Sequence, residues 1–209
     1  MAIYKGNKKV VAVYKGSTPI NKIYKGSTLV FQKSGGGGST HLFEGTATGN
    51  FNLRINDSKD IPITPDADGK WFCDTDEKIG SLYRAFSFQS NVTSVVSNLD
   101  LTGKDTSSMF EGDSNITSIK FNNTKIMKLT QVSIMFKDCT SLVSLDLSPF
   151  DTSNINKPWF FGNVFANCTS LSTIKCTQAF KDWCITNQDI IALPTAMREG
   201  GSGTWEIVA

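Results

Sequence analysis

Met135-Phe136-Lys137-Asp138-Cys139-Thr140-Ser141-Leu142-Val143-Ser144-Leu145-Asp146-Leu147 decides the fold. A Met-Phe pair enters a short polar turn, and the turn releases a segment in which apolar and polar residues alternate. That alternation is the signature of a strand with one buried face. The same succession recurs on both sides. Ala85-Phe86 precedes Val92-Thr93-Ser94-Val95, Met109-Phe110 precedes Ile116-Thr117-Ser118-Ile119, and Val164-Phe165 precedes Leu171-Ser172-Thr173-Ile174. The phenylalanines are 24, 26 and 29 residues apart, and the strand starts Val92, Ile116, Leu142 and Leu171 follow the same three steps. Two landmarks that drift together mark units of one architecture. Periods of this length predict a solenoid, in which each unit buries its apolar side against the next.

A stack of such units needs covered ends. Upstream, residues 41–82 read as a β-rich N-terminal cap. Phe51, Leu53 and Ile55 alternate, Pro62 and Pro65 punctuate, and Asp66-Ala67-Asp68-Gly69 turns the chain before Trp71 and Phe72. Downstream, residues 191–209 end on Thr204-Trp205-Glu206-Ile207-Val208 after a glycine-rich turn, a C-terminal capping strand that also covers a sticky sheet edge.

Further out lies a second repeat. Ile3-Tyr4-Lys5-Gly6-Asn7, Val13-Tyr14-Lys15-Gly16-Ser17 and Ile23-Tyr24-Lys25-Gly26-Ser27 recur every ten residues, each ending in a Lys-Gly turn signal. The β-branched residues between the turns predict a meander of four short strands. Residues 1–34 hold seven lysines and no acid, so a net charge of +2 for the whole chain leaves 2 − 7 = −5 for residues 35–209. Segments below about 40 residues rarely bury a core alone. Residues 1–34 are therefore expected to be an anchor or assembly segment that completes its core on a partner, with Tyr4, Lys5, Tyr14, Lys15, Tyr24, Lys25 and Phe31 as the anchoring residues. The Gly-rich linker at 35–40 uncouples this segment from the rest.

The unit from Met135 through Phe150-Asp151-Thr152-Ser153-Asn154-Ile155 resembles a bacterial surface-protein repeat of about 25 residues, a relative of the BspA-type leucine-rich repeats. The likeness covers residues 83–177 and is strongest at 134–155. At Glu111-Gly112-Asp113 it departs from the pattern, because the cysteine is missing. The resemblance implies a solenoid used for adhesion or protein binding, with no catalytic residues to carry over. The tyrosine-lysine-glycine repeat, followed by Leu29-Val30-Phe31, resembles N-terminal segments of tailed-phage virion proteins of gut bacteria. The expected fold class is thus mainly β: a short leucine-rich-repeat-like solenoid over 83–190 with β caps, preceded by a small β-meander segment. The expected role is a non-enzymatic virion structural or attachment protein of a tailed bacteriophage, such as a head fibre, tail or baseplate decoration. The alternative is a bacterial cell-surface adhesin or secreted interaction module. No stretch at the start reads as a secretory signal, which suits assembly in a host cytoplasm and display on a virion surface.

The search for chemistry points the same way. His41 is the sole histidine and, placed at the linker exit, is expected to be solvated. Cys73, Cys139, Cys168, Cys176 and Cys184 are odd in number and lack metal-ligand spacing, so reduced, buried thiols are expected. Asp66-Ala67-Asp68-Gly69 lacks the later ligands of a calcium loop and reads as a plain turn. The lysines of residues 1–34 sit at turns and strand ends, as edge-protecting charges do. Glycosylation sequons at Asn56, Asn91, Asn115, Asn122 and Asn167 read as by-products of an Asn/Ser/Thr-rich repeat. No cofactor, metal, nucleic-acid partner or membrane insertion is expected. Expected partners are other virion proteins, further copies of the chain, and a host-surface protein or glycan. The candidate ligand-binding residues are Trp159, Phe160 and Phe161 in Lys157-Pro158-Trp159-Phe160-Phe161-Gly162, inside the lengthened 29-residue step. Insertions loop out on one face of a solenoid, often the binding face. The competing reading has Trp159 and Phe161 plugging the core.

Overall fold

The computed structural model describes residues 41–75, 77–122, 126–151 and 159–208, together with the backbone of Pro158 and of the strand residues within 1–40. The chain divides into two compact units, Met1–Thr40 and His41–Ala209. Strand accounts for 31% of the residues and helix for 10%, so the molecule is mainly β.

In the first unit the described strands form three separate antiparallel hairpins, not a four-stranded meander. β1 (Tyr4–Lys5) pairs with β2 (Lys8–Lys9), β3 (Val13–Lys15) with β4 (Thr18–Ile20), and β5 (Lys22–Lys25) with β6 (Thr28–Gln32). The innermost pairs are Lys5↔Lys8, Lys15↔Thr18 and Lys25↔Thr28, so every Lys-Gly signal closes a hairpin of its own. A ten-residue period holds two strands rather than one. The linker at 35–40 lies outside the described residues.

The second unit is built on a seven-stranded sheet. In spatial order it runs β10 (Lys70–Cys73), β7 (Phe43–Ala47), β11 (Val92–Ser97), β12 (Ser118–Phe121), β14 (Ser144–Asp146), β16 (Thr173–Thr177) and β17 (Thr204–Val208). From β11 to β17 every pair is parallel, whereas β7 is antiparallel to both of its neighbours. The residues expected to cap the start therefore reverse the strand direction at that end of the sheet. β7 comes so close to β11 at Gly45 that a Cβ there would lie 1.9 Å from the Ser94 carbonyl oxygen. The hairpin of β8 (Phe51–Ile55) and β9 (Lys59–Ile63) turns Phe51, Leu53 and Ile55 inward, as their alternation predicted.

Opposite the sheet, two tight turns per repeat return the chain. Their left-handed residues keep the repeat phase: Arg84, Ser108, Ile134 and Asn163 at one position, and Phe88, Gly112, Asp138 and Asn167 at the other. Each sits one residue before a backbone N–H that bonds back three residues, as in Ala85 to Leu82 and Cys139 to Phe136. These turns also donate to the following repeat, from Arg84 to Ser107 (3.2 Å), Ser108 to Ser133 (3.0 Å) and Ile134 to Gly162 (2.9 Å). Polar backbone that would otherwise be orphaned at the turns is thereby satisfied between neighbours. Short parallel pairing of β13 (Met127–Lys128) with β15 (Phe150–Asp151) links two of the outer arcs.

The core is a column of rings. Phe86, Phe110, Phe136 and Phe165 are fully or almost fully buried, and successive rings lie 5.3, 5.8 and 6.0 Å apart, each pair within 6° of parallel. Phe43, Phe51 and Trp71 close the column at its start. Past the last ring, a helix that the repeat pattern did not predict, α1 (Gln178–Thr186), lies within the stretch assigned wholly to repeats. Thr177 caps it by accepting from the Phe180 N–H (3.2 Å), and Phe180 and Cys184, four apart on one face, are its buried residues.

Candidate binding surface

The outward face of the sheet carries rows of like side chains. In register across six strands stand Thr46, Ser94, Ser118, Ser144, Thr173 and Thr204. A strand spacing of about 4.8 Å makes this a hydroxyl ladder of roughly 24 Å. At its start Thr46 Oγ1 lies 2.7 Å from Thr93 Oγ1 and 2.8 Å from Ser94 Oγ. Two residues further along the strands, Asp146, Lys175 and Glu206 follow one another across β14, β16 and β17, with Lys120 in the corresponding row of β12. Lys175 Nζ is 3.0 Å from Asp146 Oδ2. Burial opposes ionisation of Asp146, but bonds from the Ser148 hydroxyl and amide and from Lys175 hold its carboxyl below the ordinary value. The face is polar, regular and hydrogen-bonding. It was readable in the sequence, since Ser94, Ser118, Ser144 and Thr173 are the third residue of each quoted strand.

The 159–161 segment divides between the two readings given to it. Pro158–Phe161 form a 3-10 turn. Trp159 is 62% exposed, whereas Phe161 is 3% exposed and packs 4.8 Å from the Trp183 ring. Phe160 is half-buried, its ring 6.5 Å from Trp159. Trp159 thus belongs to the surface and Phe161 to the core. Lys157 lies outside the described residues, as do the side chains of the proposed anchors Tyr4, Lys5, Tyr14, Lys15, Tyr24, Lys25 and Phe31; only the strand positions of these seven are described.

His41 is not a solvated linker residue. Its ring stacks on Phe72 at 4.2 Å and 17°, and its Nδ1 lies 2.7 Å from the Asp74 carboxylate. The linker composition ends one residue earlier, and His41 belongs to the body because β7 begins two residues on.

The cysteines and the Asp66 turn are committed to structure. All five cysteines are buried, and none is in a disulfide among the described residues. Cys139 donates its thiol to the Phe110 carbonyl (3.1 Å), and Cys168 donates to that of Phe136 (2.9 Å), the same bond in successive repeats. Burial pushes the Cys139 and Cys184 thiols far up, that of Cys168 to about 12 and that of Cys176 to about 11. Thiols so far above neutrality are poor nucleophiles. The Asp66 carboxylate accepts from the Asp68 and Lys70 N–H groups, closing the turn expected there. Each sequon asparagine donates its side-chain amide: Asn56 to Lys78, Asn91 to Asn50, Asn115 to Ser90, Asn122 to Asn98 and Asn167 to Asp138.

Where Cys139 and Cys168 sit, the preceding repeat has Asp113. Its side chain is fully buried, with Oδ1 accepting from the Gln89 N–H (2.8 Å) and Oδ2 lacking a partner among the described residues. Burial raises its pKa to about 9, against a lowering by the Gln89 bond. At neutral pH it is an uncharged acid in a thiol's place.

Comparison with protein-family models, with curated proteins and with solved structures found no match to the chain.

Proposed function

We propose that the chain is a non-catalytic display protein. In this reading residues 41–209 form a short leucine-rich-repeat-like solenoid that binds through its surface, and residues 1–34 assemble it onto a larger particle. The observation that carries the reading is the phased column of Phe86, Phe110, Phe136 and Phe165, with backbone bonds linking equivalent turns of successive repeats. Such an array spreads polar groups evenly over an extended face, which suits recognition of a surface. The hydroxyl ladder and exposed Trp159 supply hydrogen bonds and an aromatic anchor. Many weak contacts become effective when many copies share a particle.

The particle we favour is a tailed-phage virion, with the hairpin unit docked on another virion protein or on further copies of the chain. Three things support this: the resemblance of the tyrosine-lysine-glycine repeat, the contrast of +7 against −5 between the segments, and five buried cysteines with no disulfide among the described residues, suited to assembly in a reducing cytoplasm. The same binding body would serve a bacterial cell-surface adhesin, the second reading.

The test is light scattering after size-exclusion chromatography on the full chain and on residues 41–209. Oligomers formed by the full chain alone are the expected result. Two monomers, with residues 1–34 protease-resistant in the full chain, would remove the assembly role.

A further inference from the structure

The repeats provide an internal standard against which single residues stand out. At the two left-handed turn positions, later repeats place Ser108, Ile134 and Asn163, and Gly112, Asp138 and Asn167. Glycine, asparagine and aspartate dominate the second position because they tolerate positive φ. The first repeat instead places Arg84 (φ 57°) and Phe88 (φ 58°) there. A bulky aromatic at positive φ costs stability, and burial does not offset it, since Phe88 is 63% exposed.

These two residues line one small notch of about 210 Å³, together with Asn52, Arg54, Asp60, Ser87 and Gln89. The chain has three arginines, and two of them are here. Every large group in the notch is held in place. Arg54 is clamped by Asp60 through Nε (2.9 Å) and Nη2 (3.3 Å). Arg84 lies over the Tyr83 ring, 5.2 Å from its centre. The Phe88 ring lies over Gly112, where a Cβ would come within 2.4 Å of it. Glycine at 112 leaves room for this ring. At the equivalent step of the later repeats, Asn167 and Asp138 bond directly to each other instead (2.6 Å).

We propose that this notch binds a carboxylate-bearing sugar, a uronic-acid unit of a surface glycan. An apolar ring face lies against Phe88, the carboxylate meets the Arg84 guanidinium, and the amides of Asn52 and Gln89 serve the hydroxyls. Arginine matches a carboxylate with a planar fork that lysine lacks. The volume suits one sugar ring, and an isolated ring of this size reaches only millimolar affinity. The proposal rests on the reading of residues 41–209 as a binding body and specifies one site on it.

The experiment is a titration of the full chain, followed by amide chemical shifts, with methyl glucuronide, methyl glucoside and inorganic phosphate. We expect millimolar saturation by the glucuronide, with shifts centred on residues 84–89 and 112. Binding should be about tenfold or more weaker for the glucoside, and equally so for Arg84→Gln and Arg84→Lys with the glucuronide. Phe88→Gly separates binding from folding: its melting temperature should rise while glucuronide binding falls below detection. Equal response to glucoside, stronger response to phosphate, or no saturation at about 50 mM glucuronide, well above the expected range, overturns the assignment. So does Phe88→Gly that binds normally. Any of these would leave the display reading standing, because that reading is decided by the oligomeric state.

Discussion

Asp113 makes stability depend on pH in a way that can be calculated. Its carboxyl has a folded-state pKa of about 9 and is fully buried, while an aspartate in an unfolded chain titrates near about 3.9. Between those values the folded chain keeps a proton that the unfolded chain has released. Folding therefore takes up a proton, and the stability present at low pH is lost as pH rises from about 4 towards 9. The slope approaches about 1.4 kcal/mol per pH unit, so about 3 kcal/mol disappears between pH 5 and pH 7. Above the folded pKa the group ionises in both states and the slope flattens. The assay is urea unfolding of the wild type and of Asp113→Asn at pH 5, 6, 7 and 8. Other titrating groups are common to both proteins, so the difference in unfolding free energy isolates this one. Asp113→Asn should gain on the wild type steadily with pH. A difference that stays constant within about 0.3 kcal/mol across the series would refute a neutral buried acid. Asp113→Cys, which restores the residue of the next two repeats, should show the same gain.

Three further predictions follow from the packing. Trp159→Ala should change unfolding free energy by less than about 1 kcal/mol, whereas Phe161→Ala should cost about 3 kcal/mol, measured by chemical denaturation. Ile134 is β-branched at φ 50°, so Ile134→Asn, matching Asn163, should raise stability by about 1 kcal/mol in the same assay. A thiol-reactive chromophore should label none of the five cysteines in native protein at neutral pH and all five in denaturant; rapid native labelling would contradict their burial.

The parts of this structure legible in the sequence were those the repeat wrote several times. Phe86, Phe110, Phe136 and Phe165 revealed their own phase, and Val92-Thr93-Ser94-Val95 with its three counterparts revealed the strands. The Phe51-Leu53-Ile55 alternation and the closing strand at 204–208 were also visible, because period two survives in single copies. Features written once were harder. The α1 helix buries only Phe180 and Cys184 on one face, too short a stripe to override a repeat pattern read across it. His41 looked solvated because its partners, Asp74 and Phe72, lie more than thirty residues away in sequence. Asp113 appeared as a missing cysteine, and only burial reveals it as a protonated acid. Trp159 and Phe161 are near neighbours of similar character, and the direction each takes is set by Trp183, which no local pattern places.

The ring column has a consequence for how repeats of unequal length can share one core. Its step stays between 5.3 and 6.0 Å although the repeats lengthen from 24 to 29 residues. The interior registers one aromatic per repeat and is indifferent to how far the chain travels before returning. Added residues are absorbed by the outer arcs, as the 158–161 turn illustrates. The column thus fixes the distance between neighbouring repeats, while the length of each repeat is left to the arcs outside it.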